Sequence, residues 1–116
     1  MKISQIQELL EAEIVCGEDK LDKEVASACG SDMMSDVLAY VKDQAVLLTG
    51  LVNPQVIRTA NMMDMVCIVF ARGKEPTDEM IELAKECGIV VMCTKKRAFE
   101  ASGILYVAGL SRNIGD

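Results

Sequence analysis

The chain of 116 residues contains no histidine and no tryptophan, and aromatic residues make up only 3% of it. Histidine is the usual general acid or base near neutral pH and the commonest neutral metal ligand, so both devices are missing. The five cysteines form no Cys-x-x-Cys pair, and the closest two, Cys87 and Cys93, have five residues between them. We therefore expect no metal, iron–sulfur cluster or other cofactor, and no enzymatic activity.

The chain also lacks the common signatures of nucleotide loops, membrane spans and export. It has no Gly-x-Gly-x-x-Gly and no phosphate loop ending in Gly-Lys-Ser or Gly-Lys-Thr. No apolar run approaches the roughly 20 residues that cross a bilayer, and residues 1–5 have no apolar core of a secretion signal. The net charge of −6 disfavours nucleic acid. We expect a cytoplasmic protein with reduced cysteines that binds neither membrane nor nucleic acid.

The chain does contain two successive strand–loop–helix patterns followed by a further strand. The apolar strands 45–49 and 66–70 each lead to a loop and a proline, Pro54 or Pro76, at the start of a helical pattern. A third apolar strand is predicted at 89–93. Apolar strands that alternate with helices indicate a parallel sheet covered on both faces. We predict one domain over 1–116, a three-layer α/β/α fold with a mostly parallel sheet of about five strands.

The remaining elements are predicted from turn and capping residues. Strands are expected at Glu13–Cys16 and 25–29, and residues 110–116 are expected to fray. Residues 103–108 are left open between a continued helix and an edge strand. The expected helix boundaries are Ser4 as cap of the first helix, Ser31 or Asp32 as start of the second, Asn53, Thr77 and Thr94 as later caps, and Gly88 as a stop.

Parallel strands would bring four polar loops to one edge of the sheet, which is where ligands bind in open α/β sheets. Helix N-termini with unpaired N–H groups point toward the same edge, and four cations would gather there: Arg72, Lys74, Lys95 and Lys96. We therefore predict a site for a small anionic ligand, a nucleotide or a phosphate-like group. Its predicted residues are Gly30, Ser31, Asp32, Thr49, Gly50, Arg72, Gly73, Lys74, Thr94 and Lys95. The alternative is a set of solvated loops whose cations balance nearby acids.

Two other groups of side chains have competing interpretations. Cys93 precedes a basic run, so a thiol-dependent or redox protein is the alternative function, against a buried packing thiol. Asp32 and Asp36 could share one helix face, against plain solvent exposure near a helix N-terminus. Met62, Met63 and Met65 are expected to contact the core or a second copy of the chain.

The order of the motifs resembles the DRTGG domain family. The matching text is Gly-Ser-Asp-Met-Met-Ser-Asp-Val-Leu at 30–38, Leu-Thr-Gly at 48–50 before Asn53 and Pro54, the block at 82–94, and Phe-Glu-Ala at 99–101. The block at 82–94 is also similar to the N-terminal domain of HPr kinase/phosphorylase. The literal Asp-Arg-Thr-Gly-Gly string is absent.

The resemblance implies an accessory or regulatory domain that often self-associates, has no established reaction of its own and occurs beside CBS domains. Together with the missing catalytic groups, it leads to our functional hypothesis. The chain is expected to be a non-catalytic, homodimeric regulatory domain that senses the small anionic ligand or binds a partner enzyme.

Overall fold

The computed structural model describes residues 1–40 and 44–110, and the side chain of Tyr40 is left aside. Helices and strands alternate along most of this length, as the apolar patterns predict. In chain order they are α1 (Ile3–Leu10), β1 (Glu13–Cys16), a 3₁₀ turn (Glu18–Lys20), β2 (Ser27–Gly30), α2 (Met34–Tyr40), β3 (Ala45–Thr49), α3 (Pro54–Met62), β4 (Cys67–Phe70), α4 (Asp78–Cys87), β5 (Val90–Cys93), α5 (Ala98–Leu105) and a π-helical turn (Tyr106–Leu110).

The five strands lie in one sheet in the order β1-β5-β4-β3-β2. Strands β2 to β5 are parallel to one another, whereas the edge strand β1 runs antiparallel to β5. The antiparallel register sets Glu13 opposite Cys93, and a bulge follows between Ile14 and Cys16. The predicted mostly parallel sheet is thus confirmed.

Apolar side chains cover both faces of the sheet. Helices α1 and α5 pack on one face over a core that includes Ile6, Leu48 and Leu105. Helices α2, α3 and α4 cover the other face, where Ile57 and Phe70 are buried. Every residue of β3 and β4 is buried. The three-layer α/β/α architecture is confirmed, and its central strands are apolar because neither face meets water.

Three of the predicted helix boundaries are confirmed by their hydrogen bonds. The Asn53 side chain accepts a bond from the Gln55 amide at 2.8 Å, with Pro54 in the first helical position. Thr77 Oγ1 accepts from the Met80 amide at 3.3 Å. Gly88 ends α4 with φ of 72°, a left-handed conformation that glycine adopts without strain.

Other predicted boundaries are wrong. Helix α1 begins at Ile3, before Ser4, because the Gln5 side chain caps the Lys2 amide at 2.8 Å. Helix α2 begins at Met34, later than expected. Thr94 does not cap α5, which begins after Arg97. Local hydrogen bonds of Ser31 and Thr94 hold the loops before α2 and α5 outside the helical conformation.

The last described segment and the methionines bear on two further expectations. Residues 103–108 continue the final helix into the π-helical turn, so the strand alternative is wrong. Of the expected frayed tail, 110–116, Leu110 belongs to the π-helical turn, and residues 111–116 lie outside the described residues. Met65 is buried in the core, Met63 is half-buried, and Met62 is 67% exposed. Strands 25–29, 66–70 and 89–93 are shorter or shifted at their ends by one or two residues.

No helix in the described ranges 1–40 and 44–110 has both the length and the apolar character needed to cross a bilayer.

Candidate functional site

The parallel strands bring the predicted loops to one edge of the sheet, at the carboxyl ends of β2 to β5. Within that edge the structure separates two groups of residues. The β2–β3 half contains Gly30, Ser31, Asp32, Thr49 and Gly50. The β4–β5 half contains Arg72, Gly73, Lys74, Thr94 and Lys95.

In the β2–β3 half, the Asp32 carboxylate is held by two short hydrogen bonds. Its Oδ1 atom accepts one bond from the Thr49 hydroxyl and another from the Gly50 amide, both at 2.8 Å. The Thr49 hydroxyl in turn accepts from the Leu51 amide at 3.1 Å. The chain therefore places its own carboxylate on the Gly50 amide, where an incoming anion would otherwise bind.

These bonds lower the pKa of Asp32 below its usual value. The Gly50 amide has the largest effect, followed by the Thr49 hydroxyl, and the positive charge of Arg72 acts in the same direction. Asp32 is therefore ionised at neutral pH. It lies before α2 and bonds across to β3, so the alternative in which it shares a helix face with Asp36 is wrong.

Gly30 and Ser31 shape the loop around this carboxylate. Gly30 ends β2 directly before this loop, and a Cβ atom added there would be in ordinary contact with Ser102 Oγ of α5, at 3.4 Å. Ser31 Oγ accepts a bond from the Met33 amide at 3.0 Å, which forms a turn before α2. Both residues position the Asp32 loop.

In the β4–β5 half, residues 71–74 form a tight turn. Arg72 and Gly73 both have positive φ, 58° and 70°, and the Lys74 amide donates to the Ala71 carbonyl at 3.2 Å. These are the features of a type I′ turn. The Arg72 amide donates to Lys96 and the Gly73 amide to Thr94, both to carbonyl oxygens. Because these three amides bond to the chain, binding of an anion here depends on side chains.

Three exposed cations belong to this half: Arg72, Lys74 and Lys95. Within the part of the chain that the structure describes, none of them forms a salt bridge. The expected fourth cation, Lys96, is instead paired with Glu11 at 3.0 Å, and Glu100 lies 3.9 Å away. The expectation of four available cations is corrected to three.

Thr94 stabilises the same half through hydrogen bonds of its side chain. Its buried hydroxyl donates to the Leu10 carbonyl at 2.8 Å and accepts from the Lys96 amide at 3.2 Å. These bonds tie the C-terminal end of α1 to the end of β5. The hydroxyl therefore holds the loop that presents Lys95.

A cleft of about 370 Å³ opens between this loop and the start of β1. Its volume is at the small end of the range for ligand sites. Three of the predicted residues line it, Gly73, Thr94 and Lys95. The other lining residues are Leu10, Glu11, Glu13, Glu75, Cys93 and Lys96.

The acids Glu11, Glu13 and Glu75 line the cleft although the sequence did not predict them there. Glu13 reaches this edge because β1 runs antiparallel to β5, so the first residue of β1 meets the last of β5. The charged residue at the start of β1 is typical of an edge strand and does not give the strand's direction.

Cys93 lies in an acidic environment, where the sequence predicted an electropositive one. Burial has the largest effect on this thiol and, with the carboxylates of Glu75 and Glu13, raises its pKa to about 11. The thiol is therefore protonated at neutral pH, whereas thiol catalysis needs the thiolate. This environment contradicts the condition on which the thiol-dependent alternative rests.

The described residues at this edge offer no ligand set for a metal ion. Within residues 1–40 and 44–110 no group of three or more cysteine or acidic side chains is arranged to hold a metal ion. The edge offers three solvated cations, a cleft with both charge signs, and one carboxylate already bonded to the chain. Such an arrangement can bind a polar ligand that combines anionic groups with hydrogen-bond donors.

Comparison with known families decides the affiliation of the chain. Residues 5–107 match the family described as the DRTGG domain. The chain belongs to the DRTGG domain family. The resemblance predicted from the motifs at 30–38, 48–50 and 82–94 is confirmed. A search of curated proteins finds no match to this DRTGG domain.

Among solved structures, this DRTGG domain is similar to the crystal structure of the CBS and DRTGG domains of the regulatory region of Clostridium perfringens pyrophosphatase. That protein is complexed with its activator, diadenosine tetraphosphate. The TM-score is 0.71 at 20% sequence identity, and the likeness covers 90% of this chain and 45% of the other. At this identity the likeness establishes the fold.

Proposed function

We propose that this DRTGG domain is a non-catalytic regulatory domain that binds a small anionic ligand at the carboxyl edge of its sheet. The observation that carries the proposal is the group of exposed cations in the β4–β5 half, Arg72, Lys74 and Lys95, of which Lys95 lines the cleft beside β5. They stand together on a protein of net charge −6. The excess of acid elsewhere makes this half the electrostatically favoured place for an anion.

The charges of the cleft favour a nucleotide over inorganic phosphate. Glu13 and Glu75 line the same cleft as Lys95. A bare phosphate would be repelled by these carboxylates at close range. A nucleotide can direct its phosphates to the cations and its amino or ribose hydroxyl donors to the carboxylates.

The ten predicted residues contribute in different ways under this proposal. The side chains of Arg72, Lys74 and Lys95 contact the ligand, with Gly73 allowing the turn that presents them. Thr94 holds the Lys95 loop. The β2–β3 group of Gly30, Ser31, Asp32, Thr49 and Gly50 does not line the cleft, and it stabilises the adjoining part of the edge through the bonds of Asp32.

The structural neighbour supports a nucleotide as the first ligand to test. Its regulatory region, which shares the fold of this chain, is complexed with diadenosine tetraphosphate. That region also contains CBS domains, and the likeness to this chain spans 45% of it. We extend the ligand class, and not the site, from that protein to this one.

Self-association and binding of an enzyme complete the proposal. The domain forms a homodimer, acts in the cytoplasm and transmits ligand binding to a partner enzyme through its surface. Large apolar side chains at the surface support an association of this kind, since Phe99 and Val107 are 93% and 87% exposed.

A thermal-shift panel of ATP, diadenosine tetraphosphate, acetyl phosphate and inorganic phosphate tests the ligand. A compound that binds only the folded state adds about 2.7 kcal/mol of stability at 100 times its dissociation constant. We expect the nucleotides to raise the melting temperature more than phosphate does. No shift with any compound would reject the proposal.

A charge-matched pair of variants tests the position of the site. Arg72→Ala/Lys95→Ala removes two cations from the β4–β5 half and should abolish most of the nucleotide shift. Lys23→Ala/Lys85→Ala removes two exposed cations that lie toward the opposite end of the sheet, with the same change in net charge. Equal losses in the two double variants would mean that only the overall charge matters.

A further inference from the structure

We propose that the outer face of α5 is the surface by which two copies of this chain associate, as an antiparallel helix pair centred on Gly103. The inference rests on the homodimer of the proposed function and names its contact surface. Helix α5 and its turn, residues 98–110, contain a single charged residue, Glu100. A helix that is apolar on all sides is typical of one covered on all sides.

The inner face of α5 is already buried within the domain. Ala101 and Leu105 are fully buried against the sheet, and α5 packs beside α1. The outer face is open and includes Phe99, Tyr106 and Val107, whose exposed fractions are 93%, 65% and 87%. Both faces are thus apolar, but only one is covered.

The outer face is self-complementary about Gly103. Phe99, Gly103 and Tyr106 follow the spacing of residues that share a helix face. In a two-fold antiparallel pair, Phe99 lies four residues before Gly103 and meets the partner's Tyr106, three residues after it. Two equivalent aromatic contacts result, one on each side of the axis.

Gly103 leaves the space that such a pair requires. A Cβ atom added there would meet no atom within 4 Å. The glycine is thus not required by the packing of the domain, and in a helix interior it is less favourable than most residues. A small residue at the centre of a helix pair allows the two backbones to approach closely, which gives this glycine a function.

The charges at the helix ends fit the antiparallel arrangement. Lys95, Lys96 and Arg97 precede α5 at its N-terminus, where the helix dipole disfavours positive charge. Antiparallel pairing brings the C-terminal end of the second copy, with its partial negative charge, toward these cations. Glu100 is near Lys96, at 3.9 Å, so the apolar face itself carries little net charge that would repel an identical copy.

The area of the face is adequate for the centre of a dimer interface. The exposed parts of Phe99, Tyr106 and Val107 amount to roughly 400 Å² on each copy. A standard interface covers about 800 Å² per partner, with an apolar centre and a polar rim. The three side chains thus supply about half of that area before any rim residues are counted.

Light scattering and sedimentation equilibrium on the full chain over a wide concentration range test the proposal. We expect the wild type to form a species of twice 12.6 kDa. Phe99→Ser/Tyr106→Ser and Gly103→Gln should each weaken the dimer by at least about tenfold in dissociation constant. Gly103→Gln should leave the melting temperature of the monomer unchanged or higher, because glutamine favours the helix.

Met62→Ser is the matched control, since Met62 is an exposed apolar residue on α3 at the other face of the sheet. It should leave the dimer unchanged. A dimer that Met62→Ser weakens, or that both α5 variants leave intact, would overturn the assignment of this face while the homodimer itself stands. A wild type that stays monomeric would reject the α5 face and the homodimer together. This holds even if a chain ending at Leu110 were to dimerise.

Discussion

The two halves of the carboxyl edge differ in what their charges contact. In the β2–β3 half, the Asp32 carboxylate is satisfied by the Thr49 hydroxyl and the Gly50 amide, both at 2.8 Å. In the β4–β5 half, Arg72, Lys74 and Lys95 are exposed, while the backbone amides of the turn bond to the chain. The first half contributes to stability and the second is available to a ligand.

The largest expected effect on stability comes from removing the Asp32 carboxylate. Asp32→Ala leaves the buried Thr49 hydroxyl and the Gly50 amide without their partner, at a cost of about 1–2 kcal/mol in the free energy of unfolding. Urea denaturation measures this loss. Asp22→Ala, at an exposed residue whose side chain forms no hydrogen bond within residues 1–40 and 44–110, should change the value by less than about 0.5 kcal/mol.

Arg72→Ala is the matching variant in the β4–β5 half for the free energy of unfolding. It should leave the free energy of unfolding within about 0.5 kcal/mol of wild type, because the exposed guanidinium adds little to folding. If Arg72→Ala destabilised the domain as much as Asp32→Ala, the separation of the two halves would be wrong.

The next effect is a dependence of stability on pH. The pKa of Asp32 is lower in the folded chain than its ordinary value of 3.8, so the unfolded chain binds a proton first as the pH falls. The stability that Asp32 contributes is complete above pH 3.8 and is lost as the pH falls through the lower folded value. Urea denaturation at a series of acid pH values should show this loss.

Asp32→Asn is the control for that titration, since it has no carboxyl group to protonate. The variant should be less stable at neutral pH, and its curve should converge toward that of wild type in acid. Parallel curves for the two proteins would show that Asp32 titrates equally in the folded and unfolded chains.

The smallest effect is expected on ATP affinity, when the ion pair of Lys96 with Glu11 is removed. Glu11→Gln frees Lys96, whose pKa its hydrogen bond to Glu11 raises. The variant should bind ATP more tightly than wild type, by less than about fivefold, and added salt should reduce the gain. Calorimetric titration at two salt concentrations measures it, and weaker binding by Glu11→Gln would argue against the cationic half as the ligand site.

Much of the fold follows from local patterns in the sequence. The apolar runs of β3, β4 and β5 predict buried parallel strands, and Asn53, Thr77 and Gly88 mark helix ends through bonds to residues close in sequence. The grouping of loops at one edge follows from the parallel alignment alone. These features depend on short segments, so one sequence is sufficient to predict them.

The missed features depend on contacts between distant residues. Lys96 meets Glu11, Thr94 bonds to Leu10, and Glu13 stands opposite Cys93 only because α1 and β1 pack beside β5. Because of those contacts, Lys96 forms an ion pair, and Thr94 joins α1 to β5 where it was expected to cap α5. No pattern of spacing within the sequence predicts which partner each of these side chains meets.

The central claim is that a nucleotide binds at the β4–β5 half of the edge, and a titration of the ¹⁵N-labelled chain with ATP, followed by backbone amide chemical shifts, tests it most directly. We expect saturable changes at residues 72–74 and 94–96, with the amides of Glu18–Lys20 at the other end of the sheet unchanged. Changes confined to Glu18–Lys20, or none at any residue, would contradict the claim.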